Sequence, residues 1–405
     1  MITVTPWRFA ALKSVTIPAS STSHASMIRL TALVAGIVLV VLILVDAFET
    51  VVLPRRVARR SFRLTAWFYR NTWKPWSALA QYIETPPRRE AMIGYFGPLS
   101  LIFLLALWAL GLIFGFALLQ YGIGSEVRLG SETVGFWTIV YMSGETFFTL
   151  GFGDVTPIMG PARILAVMES GMGFAFLGIT IGYIPVIYSS FSAREIEISL
   201  LDARAGSPPS AAEFLTRMAG CQDQELFDNV LHDWERWSAQ VLENHISYPV
   251  LGYFRSQHSN QSWLGALTTI LDASTLVMAG VDRIQPNQAR LTFAAARHAV
   301  VDLAQVMGAQ YMAEAPDRLS PSELQRLREK LAVRGIQLRT GNEDELSRLR
   351  SLYEPYAQAL ATRLRITLPP FLAEPKKDNW QGGPWDKLIQ AKGLAGRAKS
   401  MDDHF

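Results

Sequence analysis

Three apolar stretches, residues 28–48, 96–119 and 164–188, each approach the roughly 20 residues a helix needs to cross a bilayer's hydrocarbon core. In hydrocarbon every backbone N–H and C=O must be bonded within its own segment, which restricts these stretches to helices. The first carries Arg29 at its outer edge and closes on Asp46. The third holds Glu169 together with Gly171, Gly173, Gly178 and Gly182. Arg8 and Lys13 precede the first stretch as in a secretory signal, but no small-x-small cleavage site follows it, so a retained helix is expected.

Basic residues set the expected orientation. Arg55, Arg56, Arg59, Arg60, Arg63, Arg70, Lys74, Arg88 and Arg89 follow the first span, whereas the loop between the second and third has only Arg128 and, at its edge, Arg163. The positive-inside rule then places residues 49–95 and everything past about 190 in the cytoplasm, with residues 1–27 outside. Arginines in 49–95 alternate with Phe62, Trp67, Phe68, Trp73 and Trp76, the pattern of a basic amphipathic helix on the inner surface. Its residues 55–74 are expected to meet anionic headgroups, and the adjoining spans argue against nucleic acid as the partner. Asp46 and Glu49, three apart, are placed to pair with nearby arginines. No span carries arginine at every third position, which argues against a conventional voltage sensor.

Between the second and third spans lies Thr146-Phe-Phe-Thr-Leu-Gly-Phe-Gly-Asp-Val-Thr-Pro157. The preceding Phe136–Thr146 is too short and polar to span and suits a half-membrane helix, with Ser131 or Thr133 as its cap. Gly151 and Gly153 can adopt φ > 0 cheaply, which a loop with consecutive carbonyls aimed one way requires.

Thr149-Leu150-Gly151-Phe152-Gly153-Asp154 resembles the potassium-channel filter signature Thr-Val-Gly-Tyr-Gly-Asp, and residues 96–190 are similar to the two-helix, one-pore-loop module of bacterial potassium channels. The resemblance implies a homotetramer in the cell membrane (for a bacterium, the inner membrane) that conducts potassium. Thr149, Leu150, Gly151 and Phe152 would coordinate the ion, Gly153 and Asp154 would form the outer turn, and Glu145 would share a proton with Asp154 behind the loop. Gly173, twenty residues past Gly153, matches the hinge glycine, although small residues also serve close helix packing. Pro185 is expected to kink the same helix. Glu169 either faces the pore or is a buried structural group. Leu150 and Phe152 depart from the usual Val and Tyr, and Phe148 stands where Thr is common. A weakly selective cation channel and a non-conducting receptor or scaffold are therefore the alternatives.

The expected fold class is an all-α membrane protein: a pore-loop module, an added N-terminal transmembrane helix and a helical cytoplasmic domain over 195–368. In that domain Glu225–Asn244, Trp263–Val281, Asn287–Met312 and Leu346–Leu364 read as helices, with capping boxes at Ser210–Glu213 and Ser320–Glu323 and a stop at Gly335. No Gly-x-Gly-x-x-Gly follows a strand, which weighs against a nucleotide-binding regulatory domain. The run Tyr248–Arg255 followed by Gln257–Trp263 is expected to be a helix–helix turn with a packed aromatic rather than a pocket. His232, His245, His258 and His298 lack ligand spacing and Cys221 stands alone, so the chain is expected to be no enzyme and to need no cofactor beyond potassium in its pore. Residues 369–405, rich in Pro, Gly and Lys, read as a flexible tail. No feature of the sequence identifies a gating ligand.

Overall fold

The computed structural model describes residues 22–53, 64–128, 135–218, 223–258 and 260–373. Expectations for Ser131, Thr133, Cys221, the arginines at 55–63 and the tail beyond 373 fall outside those residues. The described chain divides into two compact units, one from residues up to Trp76 and Pro98–Val186, the other from Ser77–Gly97 and the residues after Ile187.

In the first unit, α1 (Thr22–Val51) is a 30-residue helix, about 45 Å at 1.5 Å per residue. It packs on α3 (Pro86–Gly122) through a seam of small residues. A Cβ built at Gly36 would lie 2.9 Å from the Gly115 carbonyl oxygen, and one at Gly122 would lie 2.7 Å from the Leu33 nitrogen. Backbones approach this closely only where side chains are absent, as small residues allow in membranes. Val40, Ile43, Leu104, Trp108, Leu112 and Phe116 fill the space around the seam.

α2 (Leu64–Gln81) is pinned at its start by a buried carboxylate. Asp46 accepts bonds from the Thr65 N–H (3.1 Å), the Thr65 hydroxyl (2.6 Å) and the Trp108 indole N–H (3.0 Å). Among the described residues these partners are neutral donors, and the arginines at 55–63 expected to pair with Asp46 fall outside the described residues. Residues 86–95, read from the sequence as part of the surface segment, begin α3 instead, with two prolines in its first turn where no helical N–H is needed.

α4 (Phe136–Phe147) follows, then α5 (Gly160–Ala205), 46 residues running through Pro185. A two-residue antiparallel pair, β1 (Val127–Arg128) and β2 (Thr156–Pro157), brackets α4 and its loop, with Val127 opposite Pro157.

The second unit contains α6 (Ala211–Met218), α7 (Gln224–Ser247), a 3₁₀ turn (Pro249–Tyr253), α8 (Trp263–Gly280), α9 (Asn287–Val306), α10 (Pro321–Val333), α11 (Glu343–Ser351) and α12 (Glu354–Leu364). Four described helices, α1, α3, α5 and α8, are long and apolar enough to cross a membrane. Helix α8 is buried along nearly its whole length by α6, α9 and α11, so protein already covers its apolar surface. Its internal Asp272 accepts from Arg318 (2.6 and 3.1 Å) and from the Tyr353 hydroxyl (2.5 Å).

Ser320 and Glu323 make the expected capping box, and Gly335 takes φ 74° beyond the end of α10. The Ser210 hydroxyl accepts the Glu213 N–H at 3.3 Å, but the Glu213 carboxylate pairs with Lys330 and Arg217 instead of closing a box. Two helix extents are corrected. Leu346–Leu364 is broken into α11 and α12, because Pro355 at the first turn of α12 supplies no N–H to a preceding turn. The helix from Asn287 ends at Val306, where Gly308 takes φ 63°.

His245 is buried in this unit, with Nδ1 donating to the Val241 carbonyl (2.7 Å) and Nε2 accepting from Arg194 (3.2 Å). Burial, then the Arg194 charge, pushes its pKa down to about 3. Its folded pKa is thus below its unfolded one, so its contribution is fully present above the ordinary value of about 6.5 and is lost as pH falls. From pH 7 to 5 the unit should lose about 2 kcal/mol, because only the unfolded chain takes up the proton. Thermal melting in detergent should show this slope, and His245→Gln, which cannot titrate, should flatten it. An equal slope in both proteins would contradict the assignment.

Candidate functional site

The loop after α4 has a backbone that alternates in handedness. Thr149, Gly151 and Gly153 have φ of 56°, 67° and 75°, while Leu150 and Phe152 between them keep negative φ. Space does not impose this, since a Cβ at Gly151 or Gly153 would meet nothing within 4 Å. The conformation itself makes glycine necessary at those positions. Thr149 holds the same region with a β-branched side chain, a strain of order 1–3 kcal/mol that neighbouring contacts must offset.

Those contacts come from α4. The Phe148, Thr149 and Leu150 N–H groups donate to the carbonyls of Gly144 (3.0 Å), Thr146 (3.1 Å) and Glu145 (2.9 Å), so the loop leaves the helix as a tightened last turn. The buried Glu145 carboxylate accepts the Gly153 N–H at 2.9 Å, which ties the far end of the loop back to the helix. Asp154 is exposed and accepts its neighbour's Val155 N–H at 3.1 Å. Glu145 thus meets the far end of the loop through one carboxylate oxygen, and its other oxygen is buried without a partner in the single chain. Ile139, Met142, Ala117, Val127 and Val155 pack behind the loop.

α4 is held from both sides through one side chain. The Ser143 hydroxyl lies 2.8 Å from the Ile113 carbonyl of α3 and also bonds Glu169 of α5. Of the two expectations for Glu169, the buried structural one describes its place: it is fully buried against α4. Gly173 lies one turn further along α5 and faces the backbone of Phe147, so a methyl group there would overlap the Phe147 carbonyl oxygen. That is close packing of α5 on the end of α4. Pro185 sits inside α5 with the helix continuing on both sides.

The Ser143 contact with both flanking helices is not among the expectations above, although a serine on a half-membrane helix and a glutamate within a span both require partners.

The Gly173 contact has a measurable consequence. Gly173→Ala should lower the melting temperature of the detergent-purified protein. Gly171→Ala and Gly178→Ala, where a Cβ meets nothing within 4 Å, should be neutral or stabilising by up to about 1 kcal/mol through helix propensity. Equal effects at all three positions would remove the packing assignment.

Residues 102–189 match a family model described as an ion channel. The chain is also similar to an uncharacterized membrane protein, YdjJ, of Bacillus subtilis (strain 168), at 23% identity over 196 residues. That match covers 47% of this chain and 56% of the relative, so the chain spans little more than half of that protein's length. No solved structure matches. The matched segment takes in most of α3, α4, the alternating loop and α5 as far as residue 189. Residues 102–189 therefore form an ion-channel module of the two-helix, pore-loop type, and the chain is an all-α membrane protein.

Proposed function

We propose that four copies of this chain assemble into a potassium-selective channel, each contributing residues 149–153 to a shared axis. The observation that carries this reading is the alternation of φ at Thr149, Gly151 and Gly153. Successive residues of a β-strand send their carbonyls to opposite sides, whereas alternating left- and right-handed residues turn them to one side. The carbonyls of Thr149, Leu150, Gly151 and Phe152 would then replace the water around a potassium ion, with the Thr149 hydroxyl at the inner end. Gly153 and Asp154 form the outer turn, and Glu145 braces it.

Assembly is supported by what a single chain leaves uncovered. Trp137 of α4 and Phe174 of α5 are 71% and 74% exposed, and one loop cannot surround an ion. The reading places the protein in the cell membrane with the helical unit cytoplasmic, and puts Arg70 and Lys74 of α2 at anionic headgroups. Bending of α5 belongs at Pro185, which supplies no N–H to the Ile181 carbonyl one turn earlier.

One observation favours weaker selectivity: Phe152, 68% exposed, has no hydroxyl with which to tie its ring to α4. Reversal potentials of the purified protein in bilayers with mixed potassium and sodium separate the two readings. A potential following the potassium gradient supports potassium selectivity, and one near zero supports the weaker filter. Gly151→Ala should abolish the current while leaving membrane insertion intact, because a Cβ resists φ of 67°. Normal current in that variant would sink the loop assignment.

A further inference from the structure

Residues 249–257 of the helical unit touch the ends of two helices at once. On one side stands the start of α3. Its Glu90 pairs with Arg255 at 3.1 Å, and Phe96 packs edge-on against Tyr253 with ring centres 5.2 Å apart. A Cβ at Gly97 would lie 2.7 Å from the Phe254 ring, so that glycine admits the phenylalanine. On the other side stands the C-terminal part of α5. Its Arg194 donates to the carbonyls of Leu251 (2.9 Å) and Phe254 (3.0 Å), and Phe191 meets Phe254 with ring centres 5.5 Å apart. Glu195, paired with Arg194 at 3.0 Å, accepts the Ser256 hydroxyl (2.6 Å) and the Gln257 N–H (3.2 Å). Phe254 thus touches both helices, and Arg255 also donates to the Leu364 and Arg365 carbonyls at the end of α12 (2.7 and 2.9 Å).

The chemistry of this contact is more specific than cohesion requires. Removing a guanidinium and a carboxylate from water is costly, and well-packed apolar side chains of similar volume are often as stabilising or more so. Arg194 and Glu195 have side-chain exposures of only 2% and 8%, and both are committed to the same short segment. Directed bonds of this kind fix position, where an apolar contact would tolerate sliding.

We propose that residues 249–257 are the joint through which the helical unit sets the spacing of α3 and α5, with Arg194, Glu195 and Arg255 as its positioning residues. Resting on the channel reading above, this gives the helical unit a role in gating, because a change in the position of 249–257 moves the ends of both helices together and thereby alters opening.

The test uses the full chain in bilayers. Glu90→Gln removes the ion pair on the α3 side, and Ser256→Ala removes one bond on the α5 side. Each should shift open probability by about two- to five-fold, the range expected of single polar contacts, with an unchanged reversal potential. Arg339→Ala, which breaks an exposed pair with Asp282 elsewhere in the unit, should leave open probability unchanged. Unaltered open probability in both joint variants would overturn the proposal, as would an equal shift in the Arg339 control. Hydrogen exchange on the same protein in detergent needs no current. Ser256→Ala should speed exchange within 187–205 and also within 86–97, across the joint from the altered bond. Acceleration confined to 187–205 would overturn the joint, whereas absence of current in the unaltered protein would overturn the channel reading alone.

Discussion

The membrane module depends on one short helix being held fixed from two sides. α4 cannot span, and the loop it launches cannot hold itself, because its alternating backbone makes no regular ladder of its own. The loop borrows order from the helix through the tightened turn at Phe148–Leu150 and through Glu145 on the Gly153 N–H. The helix in turn borrows it from α3 and α5 through Ser143. Gly173 completes the arrangement by letting α5 approach the last turn of α4 to backbone distance. The hydrogen bonds among these contacts satisfy polar groups where Ser143 and the two glutamates are buried, and Gly173 adds close packing.

The same economy governs the N-terminal helix. α1 lies against α3 along glycines, and lipid chains solvate apolar side chains as well as protein does, so close packing and polar contacts must hold the two together. Asp46 supplies the polar part. With three donors converging on one carboxylate, α1, α2 and α3 share a single fixed point. The threonine and the indole are neutral donors, so these bonds bring no second charge into the buried site.

The spans, the half-membrane helix, the Ser320 capping box and the positive φ of Gly151, Gly153 and Gly335 were legible because each follows from a local rule. Length in hydrocarbon, a hydroxyl before an acidic third residue, and glycine where φ must be positive need no knowledge of distant residues. Thr149 was not legible in this way. Nothing in its own chemistry asks for a left-handed backbone, and only the turn made by α4 and the two following alternations impose it. The supporting place of Glu145 follows from its position before the loop, but its bond to the Gly153 N–H depends on how the loop folds back, a three-dimensional matter. The seam at Gly36 and Gly115 was hidden for the same reason, since small residues mark an interface without naming the helix that fills it. The environment of His245 was hidden likewise, because the Arg194 that donates to its ring is 51 positions away in sequence.

Gly173 and Pro185 show how one sequence signal can divide between two residues. Both weaken a helix in isolation, the glycine through entropy and the proline through a missing donor. Contact decides between them. At Gly173 the α5 backbone lies against the Phe147 carbonyl, where a Cβ would not fit, so the packing role expected of small residues is met there whether or not the helix also bends. Pro185 lies inside α5, and its lost N–H is a property of the residue that packing does not restore. A glycine's missing side chain thus serves contact with a neighbouring backbone, while a proline's missing donor leaves a local gap in the helix's own ladder.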